Sequence, residues 1–416
     1  MNKADSIWRI NGWVLTLLCL CLPISIVLIQ FFAYLGVLIW LACCVLDRRR
    51  AFVWTPLFTW ALIFVLLVGV GILTGERAER SLHKAHRLLL LLLLVAVPAT
   101  LSIRPEWMKT WFVAFVVGAS GLALYDLVRI PLEWRAAVAA LPAGMEPGAH
   151  REAVAFALYD QGNMRDPQFY LVALCMLLPV WFAVKNRRVR WILLGVVVLI
   201  GVSFLLHNKR GAWLAFGVVA GGYAVGTRKW KMIIVLVAVA ASALLVPPVR
   251  QRIAVLPALF GANHGGRWEL WTKVFSPFMG EHPWGVGYLA VKHEDFLAYT
   301  SDISFTVKNH FHNNGCQIAA EMGWIGLSVW LAWMAAVFTC LIRAVRRRGE
   351  NEGVDGYGSI APVCLLCAFT GLFLNGMVEY NFGDSEIYTM YCILMALAWT
   401  GWPDRSTDSS SGTPNG

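Results

Sequence analysis

Runs of roughly twenty apolar residues recur along the whole chain, separated by short connectors dense in Arg and Lys. A helix rises 1.5 Å per residue, so about twenty apolar residues are what it needs to cross the hydrocarbon of a bilayer. Spans are read near 14–30, 31–46, 52–73, 88–103, 108–128, 168–184, 190–206, 211–226, 231–247, 314–342, 359–378 and 386–402, about twelve in all. The predicted fold is therefore all-α and polytopic in the membrane. It has about nine spans in residues 1–247, a long loop at 248–313, about three spans in 314–402 and a disordered tail at 403–416.

Composition agrees. Of 416 residues, 58% are hydrophobic and 14% charged, and the mean hydropathy is +0.62, which excludes a soluble domain with a large core. The formal charge of +10 would point to nucleic acid in a soluble protein, but here most basic residues sit in short clusters between apolar runs. Ten cysteines are present, nine of them in apolar runs where they act as small hydrophobes. Cys364 and Cys367 have CxxC spacing but no second pair, so neither zinc nor redox use follows. Met1 to Trp13 carries Lys3 and Arg9, yet the apolar run after it continues to Leu46, too long for a cleavable leader. Two spans joined by a tight turn fit better.

With the N-terminus inside, the connectors DRRR (47–50), KNRRVR (185–190), TRKWK (227–231) and RAVRRR (343–348) all face the cytoplasm, and so does the tail. Two basic connectors, GERAERSLHKAHR (75–87) and HNKR (207–210), fall outside, against that rule. Either the helix count is off locally, or these cations serve an anionic ligand; the agreement of the other four favours the ligand.

Two longer outer segments remain. Residues 130–166 contain Pro131, Pro142 and Pro147 and end in the polar Arg165 and Asp166. In 248–313, too long for a simple connector, Leu270, Trp271, Val274, Phe275 and Phe278 have helical spacing and predict an amphipathic helix at the membrane surface. Pro283, Gly285 and Gly287 then force a turn.

The polar stretch Asn309 to Gly326 joins that loop to a span. His310 and His312 crowd its entrance with Asn309, Asn313 and Asn314, and Asn314, Gln317 and Glu321 share one helix face. An ionisable group at the depth of Glu321 faces protein or a water-filled cavity. Gly315, Ala319 and Gly323 form a small-residue stripe that predicts close approach of another helix.

The outer polar residues are Arg80, Lys84, Arg87, Lys209, Arg210, Arg267, His310 and His312, with Glu379, Asn381 and Asp384 from the turn before the last span. Several fixed cations at a bilayer surface suit a lipid-linked phosphate or pyrophosphate, and arginine does so through its bidentate fork. A histidine nearby could take the proton of an attacking hydroxyl. Group transfer from a lipid pyrophosphate follows from that pairing, although transporters also use intramembrane Arg, His and Glu. A transporter would be expected to show paired repeats, which are not seen. His293, Glu294 and Asp295 are adjacent and cannot all converge on one ion, so no metal is expected; no phosphate-binding GxxxxGK[ST] loop is present.

Five segments in order resemble the O-antigen ligase family, within the larger group of O-antigen polymerases and bacterial protein O-oligosaccharyltransferases. They are KRGAWLAF (209–216), GRWELW (266–271), HPWGVGYL (282–289), HNNGCQIAAEMGWIG (312–326) and GMVEYNFGDSE (376–386). The resemblance implies a GT-C-like helical body with short helices in a periplasmic loop. It implies transfer of a glycan from undecaprenyl pyrophosphate to lipid A–core oligosaccharide at the periplasmic face of the inner membrane, without metal, cofactor or nucleotide sugar. It carries the family's essential arginines onto Arg210 and Arg267 and its essential histidine onto His312 rather than His310. Cys316 stands where the family commonly has a larger apolar residue. Arg80, Lys84, Arg87, Lys209, Asn313, Glu379 and Asp384 are expected to bind substrate, the first three by topology alone. A polymerase differs from a ligase only in its acceptor; a protein-glycosylating relative would often carry an extra soluble domain.

Overall fold

The computed structural model describes residues 3–47, 52–142, 144, 166–207, 209–243, 267–299, 310–350 and 357–400. Among these residues every regular element is a helix. The tail 403–416, loop residues 248–266 and 300–309, and the polar stretch ending at Arg165 lie outside the described residues. In chain order the helices are α1 (Lys3–Cys21), α2 (Ile26–Leu46), α3 (Pro56–Thr74), α4 (Ala78–Ile103), α5 (Trp107–Ala139), α6 (Asp166–Ala183), α7 (Arg187–Leu206), α8 (Arg210–Gly226) and α9 (Trp230–Ala243). The loop region holds α10, built of Arg267–Glu269, Leu270–Phe275 and Ser276–Glu281, and the short α11 (His293–Leu297). Then come α12 (Asn314–Glu350), α13 (Tyr357–Gly376) and α14 (Ser385–Thr400).

Seven of these helices are long and apolar enough to cross a membrane: α2 to α7 and residues Asn314–Arg347 of α12. The chain is thus a multi-pass membrane protein, all-helical among the described residues. Composition alone does not decide which helices are buried. A helix that is apolar all round belongs inside a bundle or in lipid, and both outcomes occur. In α14 the residues Ile387 to Ala398 are buried without interruption, and α6 is 78% buried over its span, whereas α7 is 17% buried. The outer helices turn Val27, Leu38, Leu66, Leu73, Ile192 and Ile234 outward, a surface that only hydrocarbon would tolerate. A short connector packs α1 against its neighbour α2, and α1 also lies against the more distant α5. Long-range packing of α13 on α6, α14 on α4 and α12 on α3 closes the bundle.

Two expected boundaries are corrected. The first span does not run 14–30. Helix α1 begins at Lys3, and the chain turns at Leu22–Ser25, where Pro23 lacks an N–H and disfavours helix at Leu22. Hydropathy placed the start too late because the early polar residues have partners inside: buried Asn11 donates from Nδ2 to Thr100 Oγ1 at 2.9 Å. The fifth helix continues past 128 to Ala139 with Pro131 inside it, so the outer segment starts later than expected.

The small-residue stripe of α12 is also corrected. Gly323 is not a helix-packing contact but a break, with φ 69° and ψ −175°, a conformation open to glycine and strained for other residues. The break leaves Ala320 and Glu321 carbonyls without their usual acceptor role within the helix. The loop 283–289 supplies the missing partners: Val286 N–H donates to Ala320 O at 3.0 Å, Gly287 N–H to Glu321 O at 2.8 Å, and Trp324 N–H donates to Pro283 O at 3.2 Å. Irregular backbone inside a spanning segment persists where protein satisfies it. Gly285 and Gly287, at φ 81° and 123°, provide the expected turn.

Helix α10 is amphipathic as predicted, but its apolar face packs on protein. Leu270, Val274 and Phe278 are fully buried with Val286, Phe296, Phe311, Ala319 and Ala320 in a small core separate from the bundle core. This core seats the loop on the first turns of α12. A fork from Arg77 to both carboxylate oxygens of Asp295 ties α11 to the start of α4, and Arg77 also donates to Ala290 O at 2.9 Å. Burial opposes ionisation of Asp295, but the Arg77 cation outweighs it and holds the carboxyl below its usual range.

Candidate active site

The site forms where the entrance of α12 meets the turn between α13 and α14. Asn313 and Asn314 make that meeting specific. Asn313 Oδ1 accepts from Cys316 N–H at 3.1 Å, capping α12, and its Nδ2 donates to Met377 O at 2.8 Å. Buried Asn314 accepts at Oδ1 from the backbone N–H of Asn381 and Phe382, at 2.9 and 3.1 Å, and donates to Asn381 Oδ1 at 2.7 Å. Asn381 in turn donates to Gln168 Oε1 at 2.7 Å, fastening the turn to α6. Arg87 reaches the same turn from α4 and donates to Gly383 O.

This network brings Glu379 to His312. His312 Nδ1 lies 2.8 Å from Glu379 Oε1, and Arg267 Nη2 donates to Oε2 of the same carboxylate at 2.9 Å. Burial pushes the Glu379 carboxyl up, but the bond to His312 and the nearby Arg267 and His310 outweigh it and hold it below the usual glutamate range. An ionised carboxylate accepts only, so the His312 proton sits on Nδ1 and Nε2 is left as the basic nitrogen. His312 adopts φ 49°, an uncommon left-handed conformation of the kind found where surroundings over-determine a functional residue. The His310 ring centroid lies 4.2 Å from that of His312.

A cavity of about 690 Å³ opens beside this group. Its wall includes Arg80, Lys292, His310, Glu294, Glu379 and Asp384. In its wall Glu321, 4% exposed, accepts from Gln317 Nε2 at 2.7 Å, Leu289 N–H at 3.1 Å and Tyr380 Oη at 3.4 Å. The expected shared face of Asn314, Gln317 and Glu321 is therefore real and serves to join α12 to the loop and turn.

The candidate residues are thus partly convergent. His312, Arg267, Glu379 and Asn313 meet, and Arg80 and Asp384 line the adjacent cavity. Arg87 braces the turn, and Lys84 is absent from the cavity wall. Lys209 and Arg210 lie outside that wall too, but Lys209 stands just before α8 and Arg210 opens it, with Gly211 seated against Val378 and Asn375 beside the Glu379 turn. A helix N-terminus there adds partial positive charge to that of Arg210. His207, grouped with them by the basic connector, goes elsewhere. It is fully buried, with Nε2 2.8 Å from Asp126 Oδ2.

Tyr170 and Arg129 also donate to Asp126, and Arg129 to Asp166. Sequence reading passed over Asp126, though a lone Asp in an apolar span signals a buried partner. It also passed over Gln168, Lys292 and Glu294, the last weighed only as a metal ligand.

Among the described residues two groups have potential metal-ligand atoms within 4.8 Å of one another, His310 with His312 and Glu379, and Asp126 with Asp166 and His207. In each an arginine already holds a carboxylate: Arg267 on Glu379, Arg129 on both aspartates.

Residues 195–331 match a family model described as O-antigen ligase. The matched stretch runs from within α7 into α12 and includes Arg210, Arg267 and His312; Glu379 and its turn lie beyond it. Among curated proteins none matches the chain. The match, over about a third of the chain, agrees with the resemblance carried by the motifs and supports the O-antigen ligase and polymerase superfamily.

Proposed function

We propose that the protein is an O-antigen ligase of the bacterial inner membrane. It moves a glycan from undecaprenyl pyrophosphate to the lipid A–core oligosaccharide and so completes lipopolysaccharide. Its termini are cytoplasmic, its site periplasmic, and its body GT-C-like with about twelve spans. The observation that carries this reading is the bridge through Glu379, which joins the motif histidine His312 to the motif arginine Arg267.

In the proposed step His312 Nε2 takes the proton of the acceptor hydroxyl as its oxygen bonds to the anomeric carbon. The bond from that carbon to the pyrophosphate oxygen breaks, and the electron pair leaves with the pyrophosphate. Arg210, Arg267 and the N-terminus of α8 stabilise the charge that develops there. A single displacement inverts the anomeric configuration, without metal or nucleotide.

The test is transfer in proteoliposomes given an undecaprenyl-pyrophosphate glycan and lipid A–core, with EDTA and no nucleotide. Ligated product from wild type and a drop of about 10²–10⁴-fold in His312→Ala are expected. Extended lipid-linked chains without ligated product would make the protein a polymerase. A retained anomeric configuration, or full activity in His312→Ala, would overturn the mechanism.

A further inference from the structure

We propose that the cavity beside His310 is a saccharide subsite and that the donor's pyrophosphate stays outside it, among Arg267, Arg210 and the start of α8. This rests on the reading as a glycan transferase and divides its site in two.

The argument is one of charge and hydrogen-bonding type. Four carboxylates face the cavity, Glu294, Glu321, Glu379 and Asp384, against the two strong cations Arg80 and Lys292. Glu379 and Glu321 each have partners within the protein. Glu379 is offset by Arg267 from outside the wall, and Glu321 is taken up by its three donors. Glu294 and Asp384 still balance Arg80 and Lys292. Among the described residues the wall therefore offers no net positive charge to a pyrophosphate, whose two or more negative charges would meet carboxylates in a partly enclosed space.

A sugar has the opposite needs. Each hydroxyl both donates and accepts, so it can donate to Glu294 or Asp384 and accept from Lys292, Arg80 or the amide of Gln168. Tyr380 and Leu289 add apolar surface for the ring. The volume of about 690 Å³ falls within the roughly 300–1,000 Å³ of small-molecule sites, which combine a few convergent polar groups with apolar wall. Arg80, first assigned to pyrophosphate from topology alone, becomes a donor to sugar oxygens instead. Glu379 and His310, shared between the wall and the His312 group, mark where the two subsites meet.

The saccharide could be the acceptor core sugar or the donor glycan, and binding separates the two. Full-length protein in lipid nanodiscs is titrated calorimetrically with delipidated core oligosaccharide, with the released donor glycan, and with inorganic pyrophosphate. Each is repeated with Glu294→Gln and Asp384→Asn, singly and together. Glu294 is exposed and Asp384→Asn keeps a side chain able to cap α14, so both variants should fold, and a melting curve verifies it.

The expected result is that at least one saccharide binds and the double variant weakens it tenfold or more, while pyrophosphate affinity is unchanged. Which saccharide responds identifies the source. Tighter pyrophosphate binding in the double variant would place the pyrophosphate inside the cavity and overturn the proposal. So would saccharide binding that is unaffected, or absent from wild type at millimolar concentration. Failure of wild-type transfer in proteoliposomes with saccharide binding intact would instead count against the ligase reading alone.

Discussion

His312 Nδ1 and Glu379 Oε1 stand 2.8 Å apart, and Arg267 holds the other oxygen of the same carboxylate. The carboxylate thus sets the tautomer and direction of one motif residue while anchoring another. Glu379→Gln keeps an acceptor but removes the charge. Its transfer rate should fall about 10–100-fold, the range typical of groups that orient a functional histidine, with acceptor KM little changed. A rate within twofold of wild type would mean that Glu379 orients nothing of consequence.

The same contacts bear on stability against pH. Glu379 is held below its ordinary value of 4.5, so its contribution is fully present above that value and is lost as pH falls through the lower folded value. The difference in melting temperature between wild type and Glu379→Gln should be present above pH 4.5 and shrink as pH falls through the lowered folded value. A gap that widens on acidification would contradict the assignment.

Removing Asn314 should dismantle the site without touching a reacting group. Its side chain makes three bonds that hold Asn381 and Phe382 in place. Asn314→Ala leaves those buried groups unpaired at a cost of about 1–3 kcal/mol each where water cannot enter. A lower melting point together with lost transfer is expected; intact transfer would show that the turn finds its place by other contacts.

Gly323 separates the two readings of the α12 stripe. A Cβ there would lie 2.6 Å from Pro283 O and Trp284 Cα at a backbone conformation of φ 69°. At Gly315 the nearest atom is Asn313 Oδ1 at 3.2 Å. Gly323→Ala should destabilise by about 1–3 kcal/mol or more, and Gly315→Ala by clearly less, measured by thermal unfolding in detergent. Equal effects would restore the view of a continuous helix with a packing seam.

What the sequence made legible was local. Hydropathy located the apolar stretches, the i, i+3, i+7 pattern put Asn314, Gln317 and Glu321 on one face, and the motifs singled out Arg267 and His312. What it hid was pairing over long separation. Nothing in the apolar run around Gln168 announces a bond to Asn381, 213 residues away. Pattern also misled where one residue type serves two ends: Gly323 has the spacing of a packing stripe but the backbone of a break, and His207 shares a basic connector with Arg210 but turns inward.

That inward turn gives the last prediction. Asp126 is buried and accepts from Tyr170 and Arg129, with His207 at 2.8 Å, so it joins α5, α6 and the end of α7. Replacing it by Ala leaves Arg129 and His207 facing a site with one fewer negative charge, and breaking a buried pair in this way costs about 3–5 kcal/mol. Arg210 follows His207 by three residues, across the elbow into α8. Asp126→Ala should therefore lower the melting point strongly and reduce transfer more than the fraction unfolded explains. Asp126→Asn, which keeps an acceptor for Tyr170, should lie between the two. If Asp126→Ala melts within a degree of wild type, the network does not hold the elbow, and Arg210 must be positioned from the side of Val378 and Asn375 instead.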